Sequence, residues 1–269
     1  MEISCEVIET PQGICYSGPV TILLTNDDGI YAEGILVLYK QLKKIAHVTI
    51  VAPDSERSSV GHAITLAHPL WSKKIKREGR FFGHAVSGTP ADCIKFGMNV
   101  ILKKKPDLVI SGINLGPNDG CSIFYSGTVA GAREGAIMGI PSMAVSLGTF
   151  VNPDFSFAAR FSTKLVKMLF QNGLPRGTFL SVNIPAHRSS EIKGVRFTRQ
   201  GQVPIHEEFT RRTDPHLRTY YWMGGRLTRI EKDINADTYA LKNRYVTITP
   251  LHCDMTDYKF FDNLSQWKF

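Results

Sequence analysis

Short, continuous apolar runs that alternate with helix-patterned stretches dominate the first 150 residues and restrict the chain to few architectures. Residues 20–25 (VTILLT) form an unbroken run of the kind found in a sheet covered on both faces. The pattern returns at 47–51 (HVTIV), 83–86 (GHAV), 107–110 (DLVI) and 142–147 (SMAVSL). Between the first two runs, Ile35, Leu38, Leu42 and Ile45 sit at helical spacing. Thr89-Pro90-Ala91-Asp92 predicts a second helix start, with a hydroxyl at the cap, proline at the first position and an acid at the positive end. Ile94, Met98 and Ile101 then line one face, and Lys103, Lys104 and Lys105 close it, where cations suit the dipole. Such alternation predicts an α/β fold, a mostly parallel sheet with helices on both faces.

The second half reads differently. A helix over 154–170 and a sixth core strand at 178–184 (TFLSVNI) are expected, and then short β-rich pieces appear from residue 194 onward: VRFTRQ, RTYYWMGG and RYVTITPL. Polar segments such as HEEFTRRTDPH separate them. The division expected is an N-terminal extension (1–19), an α/β core (20–186) and an appended β-rich C-terminal extension (187–269).

Composition excludes several classes. With 43% hydrophobic and 21% charged residues the chain is globular rather than disordered. No apolar run approaches the ~18–20 residues a membrane span needs. The first twenty residues carry no Lys or Arg, which argues against a secretory signal and for a cytoplasmic location. Cys5, Cys15, Cys93, Cys121 and Cys253 are scattered, with no CxxC pair for zinc or redox chemistry. The net charge of +8 is uneven: 14 basic and 13 acidic side chains before residue 151, 18 and 11 after it. The basic stretch 188–229 is expected to flank the mouth of a site for phosphorylated substrates or to lie along a subunit interface.

Ligands in open parallel sheets bind beyond the carboxyl ends of the strands, and those ends are polar here. The first strand runs into Asn26-Asp27-Asp28-Gly29, the second into residues 52–59, the third into Ser87-Gly88-Thr89-Pro90, and DLVI into Ser111 through Asn118. Two adjacent carboxylates beside a buried strand repel each other unless a cation neutralises them; one of them capping the following helix is the alternative. Carboxylate, hydroxyl and amide oxygens suit magnesium, manganese or calcium better than zinc or copper. Ser126, Gly127 and Thr128 fall at the amino end of a small-residue helix, where free N–H groups attract an anion. Neither GxxxxGK[ST] nor GxGxxG after the first strand is present. His62 and His84 lie near the rim as candidate proton donors, and Arg57 has Asp54 or Glu56 within reach.

LLTNDDGIYAEGI (23–35), VAPDSERSSVGHAIT (51–65), VSGTPADCIKFG (86–97), DLVISGINLGPN (107–118) and YSGTVAGAREGAIMGIPSMAVS (125–146) together resemble the survival protein E (SurE) nucleotidases. The resemblance continues through FLSVNIP, VRFTRQ, YYWMGG and YVTITPLH, covering about residues 20–252. It implies a Rossmann-like core whose C-terminal β extension exchanges between subunits of a homodimer or homotetramer. It also implies one divalent metal per subunit, magnesium or manganese, held by Asp27, Asp28, Ser58 and Asn114. Ser58 is preferred to Ser59 because it directly follows Glu56-Arg57. The implied activity is hydrolysis of nucleoside 5′-monophosphates, with 3′-monophosphates and polyphosphate as further substrates. Asp27 is the expected general base, and residues 126, 127 and 128 the expected phosphate contacts. Tyr125 stands where many members carry His, so that residue's role does not transfer, and the first nineteen residues precede the usual start. Two other readings compete: a nucleotide-binding regulatory module without turnover, and nucleic-acid binding by the basic half, which lacks any recognisable reading motif. No stable nucleic-acid partner and no membrane association are expected.

Overall fold

The computed structural model describes residues 8–9, 15–16, 20–202, 205–227 and 231–267. In chain order the elements are β1 (Ile8–Glu9), β2 (Cys15–Tyr16), β3 (Thr21–Thr25), α1 (Glu33–Leu42), β4 (His47–Pro53), β5 (Ser72–Arg77), β6 (Arg80–Val86), α2 (Pro90–Phe96) and β7 (Leu108–Leu115). There follow α3 (Gly127–Ile137), β8 (Ser142–Leu147), α4 (Ser156–Asn172), β9 (Thr178–Ile184), β10 (Gly194–Phe197), β11 (Ile205–Thr213), β12 (Thr219–Leu227), α5 (Asp237–Lys242), β13 (Tyr245–His252) and α6 (Tyr258–Leu264). Apart from the β1–β2 pair, the N-terminal extension 1–19 lies outside the described residues.

A nine-stranded sheet in the order β10-β13-β9-β8-β7-β3-β4-β6-β5 forms the centre. Its inner strands β9, β8, β7, β3, β4 and β6 are parallel, while β5 and β13 join antiparallel. Side chains alternate across a strand, and this parity divides the core into two layers. Ile22, Leu24, Leu108, Ile110, Met143 and Val145 face the α1–α4 side, packed with Ile35, Leu38, Leu42, Leu165 and Val166. Leu23, Val51 and Val109 face the other side, against Cys93 and Ile94 of α2, while Ala144 and Phe179 meet Val129, Ala132 and Ala136 of α3. The fold is therefore the expected Rossmann-like α/β sheet with helices on both faces. No helix of the described residues is long and apolar enough to cross a membrane.

Several elements differ from expectation. Strand β7 continues past Ile110 to Leu115, because β8 pairs with it as far as Leu115 opposite Leu147; Asn114 thus sits within a strand, not in a loop. β5 (SKKIKR) escaped notice because only Ile75 is buried, and its lysines guard a sheet edge. The segment HEEFTRRT is a strand rather than a polar linker: β11 and β12 make a hairpin outside the main sheet, exposed on both faces, so neither shows apolar alternation. Its turn closes on the Asp214 carboxylate, which accepts from the His216 and Arg218 N–H groups and from Arg218 Nε.

Helix α2 opens as its sequence predicts. Thr89 accepts from Asp92 N–H while the Asp92 carboxylate accepts from Thr89 N–H. The helix does not stay α-helical to Ile101; after Phe96 it widens into a π turn, with Leu102 N–H bonded to Gly97 O at 2.9 Å. Gly97 lies against Leu23 and Val51, leaving no room for a side chain there. Thr89→Ala removes one cap bond and the bond to Ala63 O. It is expected to cost about 0.5–2 kcal/mol, read as a lower midpoint of thermal unfolding.

Candidate active site at the sheet's switch point

From β3 the strand order runs outward through β4 and β6 on one side and through β7, β8 and β9 on the other. Crossovers leave β3 and β7 in opposite directions, which opens a crevice at their carboxyl ends. Asp27 and Asp28 lie just beyond β3 and Asn114 is the next-to-last residue of the neighbouring β7, so the sheet itself brings them together. A cleft of about 580 Å³ occupies this position, lined on its inner side by Asp27, Ser58, Asn114, Tyr125 and Ser126.

The acidic turn is built locally. Gly29 adopts φ +91°, which a side chain disfavours, and a Cβ there would meet the Ser55 backbone at 3.1 Å. Asn26 Nδ2 donates to Gly29 O at 2.9 Å and closes the turn. Asp27 is buried, and its Oδ1 accepts from the Thr128 hydroxyl. Asp28 Oδ2 accepts from Leu115 N–H at 3.0 Å, tying the end of β3 to the end of β7. Burial raises the Asp27 pKa despite the Thr128 hydrogen bond. Asp28 is pushed up to about 7, first by burial and then by the charge of Asp27.

These residues fit a hard divalent cation. Two partly desolvated carboxylates side by side are costly as a dianion, and a cation removes that cost. Asn114 Nδ2 is committed to Gly116 O at 2.7 Å, leaving Oδ1 without a donor among the described residues. Asn26 Oδ1 is buried with no hydrogen-bond partner among the described residues. No cluster of three or more His, Cys, Asp or Glu forms among the described residues, in keeping with a mixed oxygen donor set. Ser58 is exposed on the same cleft, its hydroxyl donating to Glu56 Oε1 at 2.5 Å.

Helix α3 brings its amino end to this crevice. Ser126 caps it, accepting from Val129 N–H at 3.0 Å. Gly127, Gly131 and Gly135 recur every fourth residue on one helix face. A Cβ at Gly127 would fall 2.9 Å from Asp27 Cβ, and one at Gly131 2.8 Å from Ser111 Oγ. The small-residue pattern therefore serves both packing and the site. Thr128 faces Asp27 rather than the cleft, so its hydroxyl supports a carboxylate and is not free for a ligand.

Other candidates go elsewhere. His62 bonds Glu134, and His84 packs edge-on against Phe81; neither lines the cleft. Burial and then Lys74 lower the His84 pKa. Arg57 pairs with Asp54 at 3.4 Å, while Glu56 takes Ser58. Thr89 and Pro90 open α2, and Ser87 Oγ accepts from Trp71 N–H at 2.9 Å. No Lys or Arg of the described residues lines the cleft, so where the stretch 188–229 reaches it, it does so without its basic side chains; Arg229 lies outside the described residues. Instead the hairpin contributes Glu207, Met223, Gly224 and Gly225, opposite Pro117 and Phe150. Sequence reasoning missed these, as it missed the buried frame around Asn118. There Asn118 N–H donates to Asn183 Oδ1 and Asn118 Nδ2 to Ser146 Oγ, each at 2.8 Å. The signal available was Ser146, Ser181 and Asn183 interrupting otherwise apolar strands.

A family model described as Survival protein SurE matches residues 22–207. A 5′-nucleotidase SurE of Chlorobium limicola is 49% identical over 246 residues, covering 91% of this chain and 95% of its own. A 5′-nucleotidase SurE of Syntrophobacter fumaroxidans is 46% identical, with coverages of 91% and 98%. Among solved structures, the SurE protein from Aquifex aeolicus superposes with a TM-score of 0.80 at 44% identity, covering 91% of this chain and 98% of that one. With a family model over residues 22–207 and relatives this similar over nine-tenths of the chain, the chain belongs to the survival protein SurE family.

Proposed function

We propose that this chain is a 5′-nucleotidase that hydrolyses nucleoside monophosphates with one divalent cation, magnesium or manganese, per subunit. The observation that carries the reading is the pair of desolvated carboxylates, Asp27 and Asp28, at the strand-order reversal beneath a helix amino terminus. Asp27, Asp28, Asn114 Oδ1 and Ser58 would hold the cation. When bound, such an ion polarises phosphoryl oxygens and acidifies a water.

The chain's own groups do the rest. Asp27 is the general base: the Thr128 hydroxyl occupies Oδ1 and fixes the carboxylate, leaving Oδ2 to take a proton from the attacking water. Ser126 and the free Gly127 N–H at the start of α3 receive phosphate oxygens, and Thr128 contributes through Asp27. Pro117, Phe150 and Met223 offer an apolar wall for the nucleoside, which sets its reactive end toward the acids. The hairpin is the part of the C-terminal extension that reaches the cleft, and its exposed Phe209, Tyr221 and Trp222 suit assembly into a homodimer or homotetramer. A cytoplasmic location accords with this substrate.

A panel of 5′- and 3′-nucleoside monophosphates and short polyphosphates, assayed for phosphate release in magnesium, manganese and EDTA, tests the reading. Release from 5′-monophosphates with metal, loss in EDTA and recovery on adding manganese are expected. Release that ignores EDTA, or tight nucleotide binding without release, contradicts it.

A further inference from the structure

Glu134 has no part in the chemistry above, yet it is the one acid in α3 and is almost wholly buried among glycine and alanine. Its Oε2 accepts from His62 Nε2 at 2.8 Å and its Oε1 from Lys95 Nζ at 2.6 Å. Burial acts to raise its pKa, but the hydrogen bonds from His62 and Lys95 outweigh it and hold the carboxyl below the usual range. The group is a fixed anion, and it joins three elements: α3, α2 through Lys95, and the segment after β4 through His62.

That segment carries Ser58, and it is tied down on both sides of it. Before Ser58, Arg57 N–H donates to Asp27 O at 2.7 Å. After it, Gly61 N–H donates to Tyr125 O at 2.9 Å, His62 reaches Glu134, and Thr65 gives both its N–H and its hydroxyl to Asp92. Between the ties lie only Ser58, Ser59 and Val60, exposed at the crest, with Ser59 at φ +57°. A non-glycine residue in that region persists only where its surroundings hold it. Gly61 N–H is a single neutral bond at the surface, whereas the His62 bond ends on a buried carboxylate and is the stronger restraint.

We infer that His62 and Glu134 are positioning residues that clamp this strap along α3 and so hold Ser58 at the cleft beside Asp27 and Asn114. The inference rests on reading Ser58 as a cation ligand. Lys95 is the internal control, because it touches the same carboxylate from the α2 side and does not touch the strap.

The full-length chain, stripped with EDTA, is titrated with manganese while free ion is followed by electron paramagnetic resonance. Amide hydrogen exchange is measured over residues 57–62 in parallel. His62→Ala is expected to weaken manganese binding about tenfold, as loss of outer supports does at metal sites, and to speed exchange at Gly61. His62→Gln, which keeps an N–H for Glu134, is expected to recover most of the affinity. Lys95→Ala is expected to leave affinity and exchange unchanged and to lower only the thermal midpoint. Wild-type affinity and exchange in His62→Ala, or an equal loss of affinity in Lys95→Ala, would overturn the inference. A wild-type chain that binds no manganese overturns the metal reading alone, since exchange in His62→Ala still decides whether the strap is clamped.

Discussion

Asp28→Asn is expected to lower phosphate release from nucleoside monophosphates by about a thousandfold or more, and Asp27→Asn by at least as much. The substitution keeps shape: an amide oxygen at position 28 still accepts from Leu115 N–H. What it removes is the negative charge that offsets a divalent cation. A cation's stabilisation of phosphoryl charge is worth several kcal/mol, and each ~1.4 kcal/mol is tenfold in rate. Stability is expected to move the other way. In the metal-free chain the two carboxylates repel each other in a desolvated turn, so Asp28→Asn should unfold at a temperature equal to or above that of the wild type. Steady-state phosphate release and thermal unfolding of the same preparations separate the two effects. A variant that loses activity and stability together would mark Asp28 as a structural cap.

Gly127→Ala is expected to damage catalysis far more than folding. Its Cβ would meet Asp27 Cβ at 2.9 Å, Asp27 Oδ2 at 3.0 Å and Arg57 O at 3.2 Å. Two of these contacts belong to the proposed base and the third to the backbone that precedes Ser58. Overpacking costs roughly 1–3 kcal/mol, while alanine regains about 0.8–1 kcal/mol of helix propensity; the net destabilisation is small. Displacing a reacting group by about 1 Å can cost on the order of a hundredfold in rate. A fall of that size in kcat, with a thermal midpoint within a few degrees of wild type, is the expected result. The check is kcat and unfolding measured side by side; near-normal kcat would mean that α3 can shift without disturbing Asp27.

The sheet was legible because its strands are buried on both faces: 20–25, 142–147 and 178–184 are apolar at more than half of their positions, and each became a strand. Asp27 and Asp28 were legible for a related reason, since they abut such a run and lie just beyond β3; Asn114 was named through the family resemblance and lies inside β7. β5 and β11 were not legible. Lysines and glutamates fill strands whose faces stay wet, and pairing rather than burial holds them. The far wall of the cleft was hidden for the same reason. Glu207 and Met223 reach it only because a hairpin folds back across about a hundred residues of chain, a contact that no local pattern encodes. Glu134 gave no signal of its own: nothing local in a Gly- and Ala-rich helix marks a glutamate as buried, and the His62 and Lys95 contacts that make its burial tolerable come from distant segments.

The central claim is that Asp27 and Asp28, at the carboxyl end of β3 beside the cleft, make a one-cation site. Calorimetric titration of manganese into the EDTA-stripped chain, with Asp27→Asn titrated alongside, tests it most directly. One ion per chain in the wild type and no measurable binding in the variant is the predicted result. Undiminished stoichiometry and affinity in Asp27→Asn would contradict it.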